Sequence, residues 1–177
     1  MKNFNKVMCV GAAKTGTTTC GDIFNKLGLK NTALNKVLWK KHFLKNKFGV
    51  IYEHFNKYDS FNDWPWKGLY KEFDERHPNS KFILTQRKNY KTAALSAWYH
   101  NNSPQSNPPD KFLEKRIKVL KEWDQDILNY FKDRKNDLLV VCWENGDEWG
   151  KVCNFLGLPI PDIKFPHRKK RFSNDRY

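Results

Sequence analysis

The sequence predicts a three-layer α/β fold, with a short parallel sheet of about four to five strands flanked by helices on both faces. Two observations carry this. Residues 6–10, 81–86 and 137–143 are short apolar runs of strand length. The stretches between them repeat apolar residues at helical spacing, as in Ile23, Phe24 and Leu27, or Leu113, Ile117, Leu120, Ile127 and Phe131. Apolar strands separated by helices are joined by crossovers, and crossovers make neighbouring strands parallel.

Taken in order, residues 6–10 form the first strand. A helix over 17–27 follows and ends at Gly28. Residues 29–32 suit a short edge strand, and 34–45 a helix with a basic face. Trp66, Leu69, Tyr70 and Phe73 mark a helix that stops before Pro78. The strand 81–86 leads into a helix over about 91–100. Residues 102–110 hold three prolines and read as a loop. The long helix over 113–131, the strand 137–143 and a last helix striped by Trp149, Val152, Cys153 and Leu156 complete the chain, with Gly157 as the final cap. No repeat or linker divides the sequence, so residues 1–177 are expected to form one domain.

Composition narrows the function. The 177 residues are 39% hydrophobic and include 7 Trp and 13 Phe, which fits a packed core and excludes a disordered chain. The formal charge of +14 calls for an anionic partner. Lysines are scattered throughout, but concentrate at residues 35–47 and 167–171. Cys9, Cys20, Cys142 and Cys153 form no C-x-x-C pair and sit in apolar stretches, as buried reduced thiols do. No apolar run is long enough to span a bilayer, and the first strand starts too early for a signal peptide. A cytoplasmic location is expected. No helix-turn-helix, zinc or RNA-binding signature marks a specific nucleic-acid partner.

The first strand runs into Gly11-Ala-Ala-Lys-Thr-Gly16-Thr-Thr18. Gly11, Gly16 and Thr18 keep the spacing of a nucleotide-binding loop, G-x-x-x-x-G-K-[ST]. Thr17 stands at the lysine position, and the lysine, Lys14, has moved ahead of the glycine. Backbone N–H groups and the helix dipole make such a loop an anion cradle. Gly16 permits close approach, Thr17 and Thr18 add hydroxyls, and Lys14 adds a charge. Ligands of parallel sheets sit at the carboxyl ends of strands. At two other such ends stand Arg87, and Trp143 with Glu144.

"KTGTT" resembles the phosphosulfate-binding loop of the sulfotransferases that use 3′-phosphoadenosine-5′-phosphosulfate (PAPS). That family's loop reads K-[ST]-G-T-[ST]. The resemblance implies a P-loop-like fold and a metal-free nucleotide donor held by Ala13, Lys14, Thr15, Gly16, Thr17 and Thr18. Lys14 inherits contact with the oxygen bridging phosphate and sulfate, and Arg87, ending "KFILTQR", inherits the 3′-phosphate. A family serine lies eight residues after that arginine; here Leu95 holds the position and Ser96 follows. Trp143 stands where an aromatic contacts adenine. Arg168, Lys169 and Lys170 in "FPHRKKR" resemble a basic tail that closes over the 3′-phosphate. "DWPW" at residues 63–66 matches a segment of a small bacterial-type branch. Thr19 departs from the cytosolic branch, which stacks a Trp there, and the chain is shorter than the eukaryotic enzymes.

Sulfuryl transfer needs the acceptor deprotonated and the leaving phosphate stabilised. Lys14 suits the second task. For the base the choice is Asp63, whose place before Trp64-Pro65 suits a helix cap equally well. Glu53, His54, Asp59 and His100 are the other candidate bases. Lys36, Lys40, Lys41 and Lys45 read as a solvated face, and Trp39, Trp64, Trp66 and Trp98 as core or acceptor lining. The acceptor is a hydroxyl or amine of open identity, neutral or anionic. A P-loop kinase and a non-catalytic nucleotide- or polyanion-binding relative remain the competing readings.

Overall fold

The structure, a computed structural model, describes residues 3–103 and 105–166. Arg168, Lys169 and Lys170 lie outside the described residues. Five strands form one all-parallel sheet: β1 Val7–Cys9, β2 Asn31–Thr32, β3 Ser60–Asn62, β4 Lys81–Thr85 and β5 Leu138–Val141. Their order is β2-β3-β1-β4-β5. Seven α-helices are present among the described residues: α1 Thr17–Lys26, α2 Lys36–Lys41, α3 Gly49–Phe55, α4 Tyr70–Arg76, α5 Tyr90–Asn101, α6 Asp110–Tyr130 and α7 Trp149–Leu156.

Side-chain alternation along the strands divides the core in two. Val7 and Cys9 of β1 and Ile83 of β4 face one side, where α1 and α7 cover them with Ile23, Phe24, Trp149, Val152 and Leu156. Met8, Phe82 and Leu84 face the other, against Phe55, Trp66, Phe73, Ile127 and Phe131 from α3, α4, α6 and the turns beside them. The helix after β1 thus packs on one face, and those after β3 and β4 on the opposite face. The sheet order reverses at β1, and in such sheets the ligand crevice lies outside the carboxyl ends of the strands at that point.

Local chemistry sets the helix ends. The Asn35 side chain accepts from the Leu38 N–H, and Asn89 from the Thr92 N–H, as N-cap residues do. Gly157, at φ 62°, closes α7. The expected helix over 34–45 is shorter. It stops at Lys41, and a 3-10 turn Phe43–Lys45 follows, ended by Asn46 in the left-handed region. The long helix begins earlier than its apolar stripe, because Asp110 suits a first turn and Pro109 its N-cap.

Strand β3 and helix α3 are not evident in the sequence. β3 is three residues, Ser-Phe-Asn, with one apolar side chain. It becomes a strand by tertiary context, lying between β1 and β2 with all three residues buried. Phe61 is its anchor, wholly buried and in ring contact with Phe55, Trp66 and Phe73 at centroid distances of 5.5, 5.5 and 5.1 Å. Phe61→Ala should cost about 3–5 kcal/mol, the usual penalty for emptying a buried phenylalanine site. A urea titration should show the midpoint falling with the slope unchanged; a loss under 1 kcal/mol, well below the usual core cost, would show that β3 is not a core strand.

Candidate active site

Register brings the strand ends together. Cys9 is level with Asn62 of β3 and Ile83 of β4. Asp63 therefore leaves the sheet beside Val10, about one strand spacing, or ~4.8 Å, away. Thr85 lies level with Gly11, and Arg87 stands just beyond it.

The loop from Val10 to Gly16 is held by its carbonyls. Trp123 Nε1 donates to the Val10 oxygen at 2.7 Å, and Lys67 Nζ to the Gly11 oxygen at 3.2 Å. Arg116 Nη2 donates to Ala13 at 3.3 Å, Arg87 Nε to Lys14 at 2.9 Å, and Trp143 Nε1 to Gly16 at 3.2 Å. Inside the loop the Thr15 hydroxyl donates to the Ala12 oxygen at 2.7 Å. In a trans peptide the carbonyl and the following N–H point in opposite directions. Each captured carbonyl therefore turns the N–H that follows it to the opposite side, as at Ala12 and Thr17, while the Thr15 N–H goes to the Ala12 carbonyl at 3.3 Å. The first-turn N–H groups of α1 also lack intrahelical acceptors. The result is a concave set of donors at a helix N-terminus, a site for an anion.

Two glycines are required by contact. A Cβ on Gly11 would lie 1.9 Å from Thr85 Oγ1, and one on Gly16 would lie 2.4 Å from Trp143 Cδ1. Gly16 also has φ 105°, a left-handed value suited to glycine. Lys14, at φ 76°, has no such licence. Asp63 also has a positive φ, 71°, as do Asn46 and Asn79, the remaining such non-glycine residues among the described residues. Asparagine and aspartate enter this region readily and lysine does not. Lys14 thus sits on strained backbone, as residues at functional sites often do.

The other expected residues take varied places. Thr15 is buried, and its hydroxyl is also 2.7 Å from that of Thr85, so its side chain serves the loop itself. Thr17 is buried and Thr18 exposed. Arg87 is ion-paired with Glu144, which also accepts from the Lys88 N–H at 2.8 Å. Trp143 is buried against Phe165, with ring centroids 5.5 Å apart, and its Nε1 edge lies on Gly16. Ser96 is half-buried on the second turn of α5, about 9 Å along the axis from the first residue of that helix.

Asp63 is not a helix cap. Its Oδ1 accepts from the N–H of Trp64, the next residue, at 2.9 Å, and Pro65 holds the N-cap position of the turn Trp66–Leu69. Asp59 is removed from the crevice because it precedes β3, where it accepts from the Lys30 N–H. His54 is bonded to the Val50 carbonyl of its own helix, and His100 sits near the end of α5. Trp66 is core, with its N–H on the Ala33 carbonyl, while Trp64 stacks on Trp39 and borders Trp123.

Sequence reasoning did not single out Lys67, Arg116 or Trp123. Lys67 is 2% exposed, 5.3 and 5.4 Å from the ring centres of Trp64 and Trp123. Burial lowers its pKa, with the Asp63 carboxylate working the other way. Arg116 is also held down by burial, and its Nε is buried without an acceptor. A lone lysine on a turn and an arginine in a lysine-rich helix carry no sequence signal. A group of His, Cys, Asp or Glu side chains able to hold a metal ion does not occur among the described residues.

The lowered pKa of Lys67 has a signed consequence. Between that value and the unfolded value of about 10.4, the unfolded chain binds more protons, so stability gained from this group rises with pH. Lys67→Met should erase that gain. Urea unfolding of both proteins from neutral to alkaline pH should show the wild type improving relative to the variant. A difference independent of pH would mean that Lys67 has an ordinary pKa.

A family model described as a sulfotransferase domain matches this chain over residues 6–100 and 91–173. Among curated proteins no match is found. The match covers most of the chain, including the loop after β1 and the arginine after β4, and the chain belongs to the sulfotransferase domain family.

Proposed function

We propose that the protein transfers a sulfuryl group from PAPS to a hydroxyl or amine of an acceptor, without a metal. The observation that carries this reading is the loop whose carbonyls are drawn outward by five side chains while its lysine precedes Gly16. The residues present fit the donor. Inward N–H groups suit the 5′-phosphate, a Cβ-free Gly16 permits close approach, and Arg87 keeps guanidinium N–H groups beyond the two it uses here. Ala13 to Thr18 would hold the phosphosulfate end, and Arg87, with Ser96, Arg168, Lys169 and Lys170, the 3′-phosphate. The edge of Trp143 would border the adenine. When bound, the donor supplies an activated sulfuryl group and a bisphosphate leaving group.

The chain's own residues then divide the work. Lys14 places a positive charge where negative charge develops as sulfate departs. Asp63, directly after β3, accepts the acceptor's proton. Lys67 and Arg116 hold the loop in its donor-inward form. Four unpaired cysteines, three of them buried, suit a reducing compartment such as the cytoplasm. We read residues 1–177 as one catalytic domain.

Two measurements test this. The product 3′,5′-adenosine bisphosphate should raise the melting temperature without metal, by mass action on the native state: about 2.7 kcal/mol at a hundredfold excess over Kd. Arg87→Ala should weaken bisphosphate binding far more than binding of 5′-AMP, which lacks the 3′-phosphate. Equal losses would make Arg87 structural, and a larger shift from ATP with Mg²⁺ would favour a kinase.

Asp63→Asn separates chemistry from folding. Asparagine keeps the acceptor for the Trp64 N–H and tolerates positive φ. Stability should barely change, while kcat falls roughly 10²–10⁴-fold, the usual worth of a positioned base. Until an acceptor is found, sulfate release to water or a simple phenol provides the readout. Unchanged turnover would remove Asp63 as the base.

A further inference from the structure

Residues 34–50 run from the end of β2 across the carboxyl side of the sheet. They are tied to the Asp63 turn by the Asn35 N–H on the Trp64 carbonyl at 3.0 Å, by the Trp39–Trp64 stack at 6.2 Å and by Phe43 against Trp64 at 5.2 Å. This segment is unusual on two independent counts. It carries Lys36, Lys40, Lys41, Lys45 and Lys47, all exposed, and no acidic residue. It also supplies four of the eight exposed large hydrophobic residues among the described residues: Leu34, Val37, Leu44 and Val50, at 42, 58, 60 and 38% exposure.

We infer that residues 34–50 form a docking face for an anionic lipid bilayer. Exposed aliphatic side chains interleaved with lysines suit a headgroup interface. The apolar tips enter the acyl boundary while the lysine stems lie flat and their ammonium groups reach lipid phosphates and carboxylates. A second copy of the chain would set five lysines against five, which like charge opposes. A nucleic acid would take the lysines but gains nothing from exposed Leu and Val, since single strands are held by stacking on aromatic faces. Here Phe43 and Phe48 face each other and Trp39 is stacked. Docking by this face goes beyond sulfuryl transfer and does not depend on it. It would bring the Asp63 turn to the level of the lipid headgroups.

The test is flotation of the full chain with phosphatidylcholine vesicles, with and without phosphatidylserine. Binding should require phosphatidylserine and weaken with salt. Two double variants separate the components: V37D/L44D removes apolar contact, and K40E/K41E reverses charge. Each should lower the partition coefficient roughly tenfold or more. The matched control V119D/L128D makes the same charge change at exposed positions of α6 and should leave binding nearly intact. Circular dichroism and melting curves confirm that each variant is folded. The proposal is overturned by absence of binding to either vesicle. Equal losses in V37D/L44D and the α6 control would also overturn it, because adhesion would then follow net charge alone. So would duplex DNA displacing the protein from vesicles while binding wild type and V37D/L44D equally.

Discussion

The outward pull on the carbonyls of Val10, Gly11, Ala13, Lys14 and Gly16 is the constraint on which the rest of the structure depends. A loop of bare backbone has no reason to hold one shape. Here side chains from α6, from the turn after β3, and from the ends of β4 and β5 each capture one carbonyl, and the Thr15 N–H takes that of Ala12. The sheet order puts β1 between β3 and β4, which brings these donors within reach. The Asn62 amide extends the pattern into α1, donating to the Thr17 carbonyl at 3.3 Å.

This arrangement has an electrostatic cost. Lys67 and Arg116 are partly or fully desolvated, they repel each other, and neither is ion-paired among the described residues. Removing a cation from water is unfavourable unless it is compensated. The Gly11 and Ala13 carbonyls, the Trp64 and Trp123 faces and the Asp63 field compensate in part. An anion in the cradle would offset more. The site thus has a charge balance suited to a ligand with several negative charges.

At the other end of the sheet the charges are settled differently. A surface hollow lined by Asp74, Pro78, Asn79, Tyr130, Arg134 and Asp137 lies at the amino ends of the strands. There Arg134 pairs with Asp74 and Asp137, and Tyr130 donates to Asp74. Those groups satisfy one another. Near the loop, Lys67 and Arg116 are desolvated cations with no ion pair among the described residues, and that asymmetry separates a structural cluster from a candidate site.

The sequence by itself determined the α/β class, the loop, its forward lysine and the arginine after the fourth strand. All of these follow from local rules: apolar periodicity, glycine spacing, and the tendency of strand ends to carry ligands. The family resemblance singled out Asp63, which follows directly on β3 at the carboxyl end of the sheet. Only the tertiary structure decided that Ser60–Asn62 is a strand, because a three-residue run with one apolar side chain becomes a strand only between two partners. Only it decided that Asp63 is not a cap, since the cap position falls on Pro65. And only it brought Lys67, Arg116 and Trp123 to the loop, across 56, 103 and 113 residues of chain. Contacts so distant in sequence leave no periodic or spacing signal, and packing alone creates them.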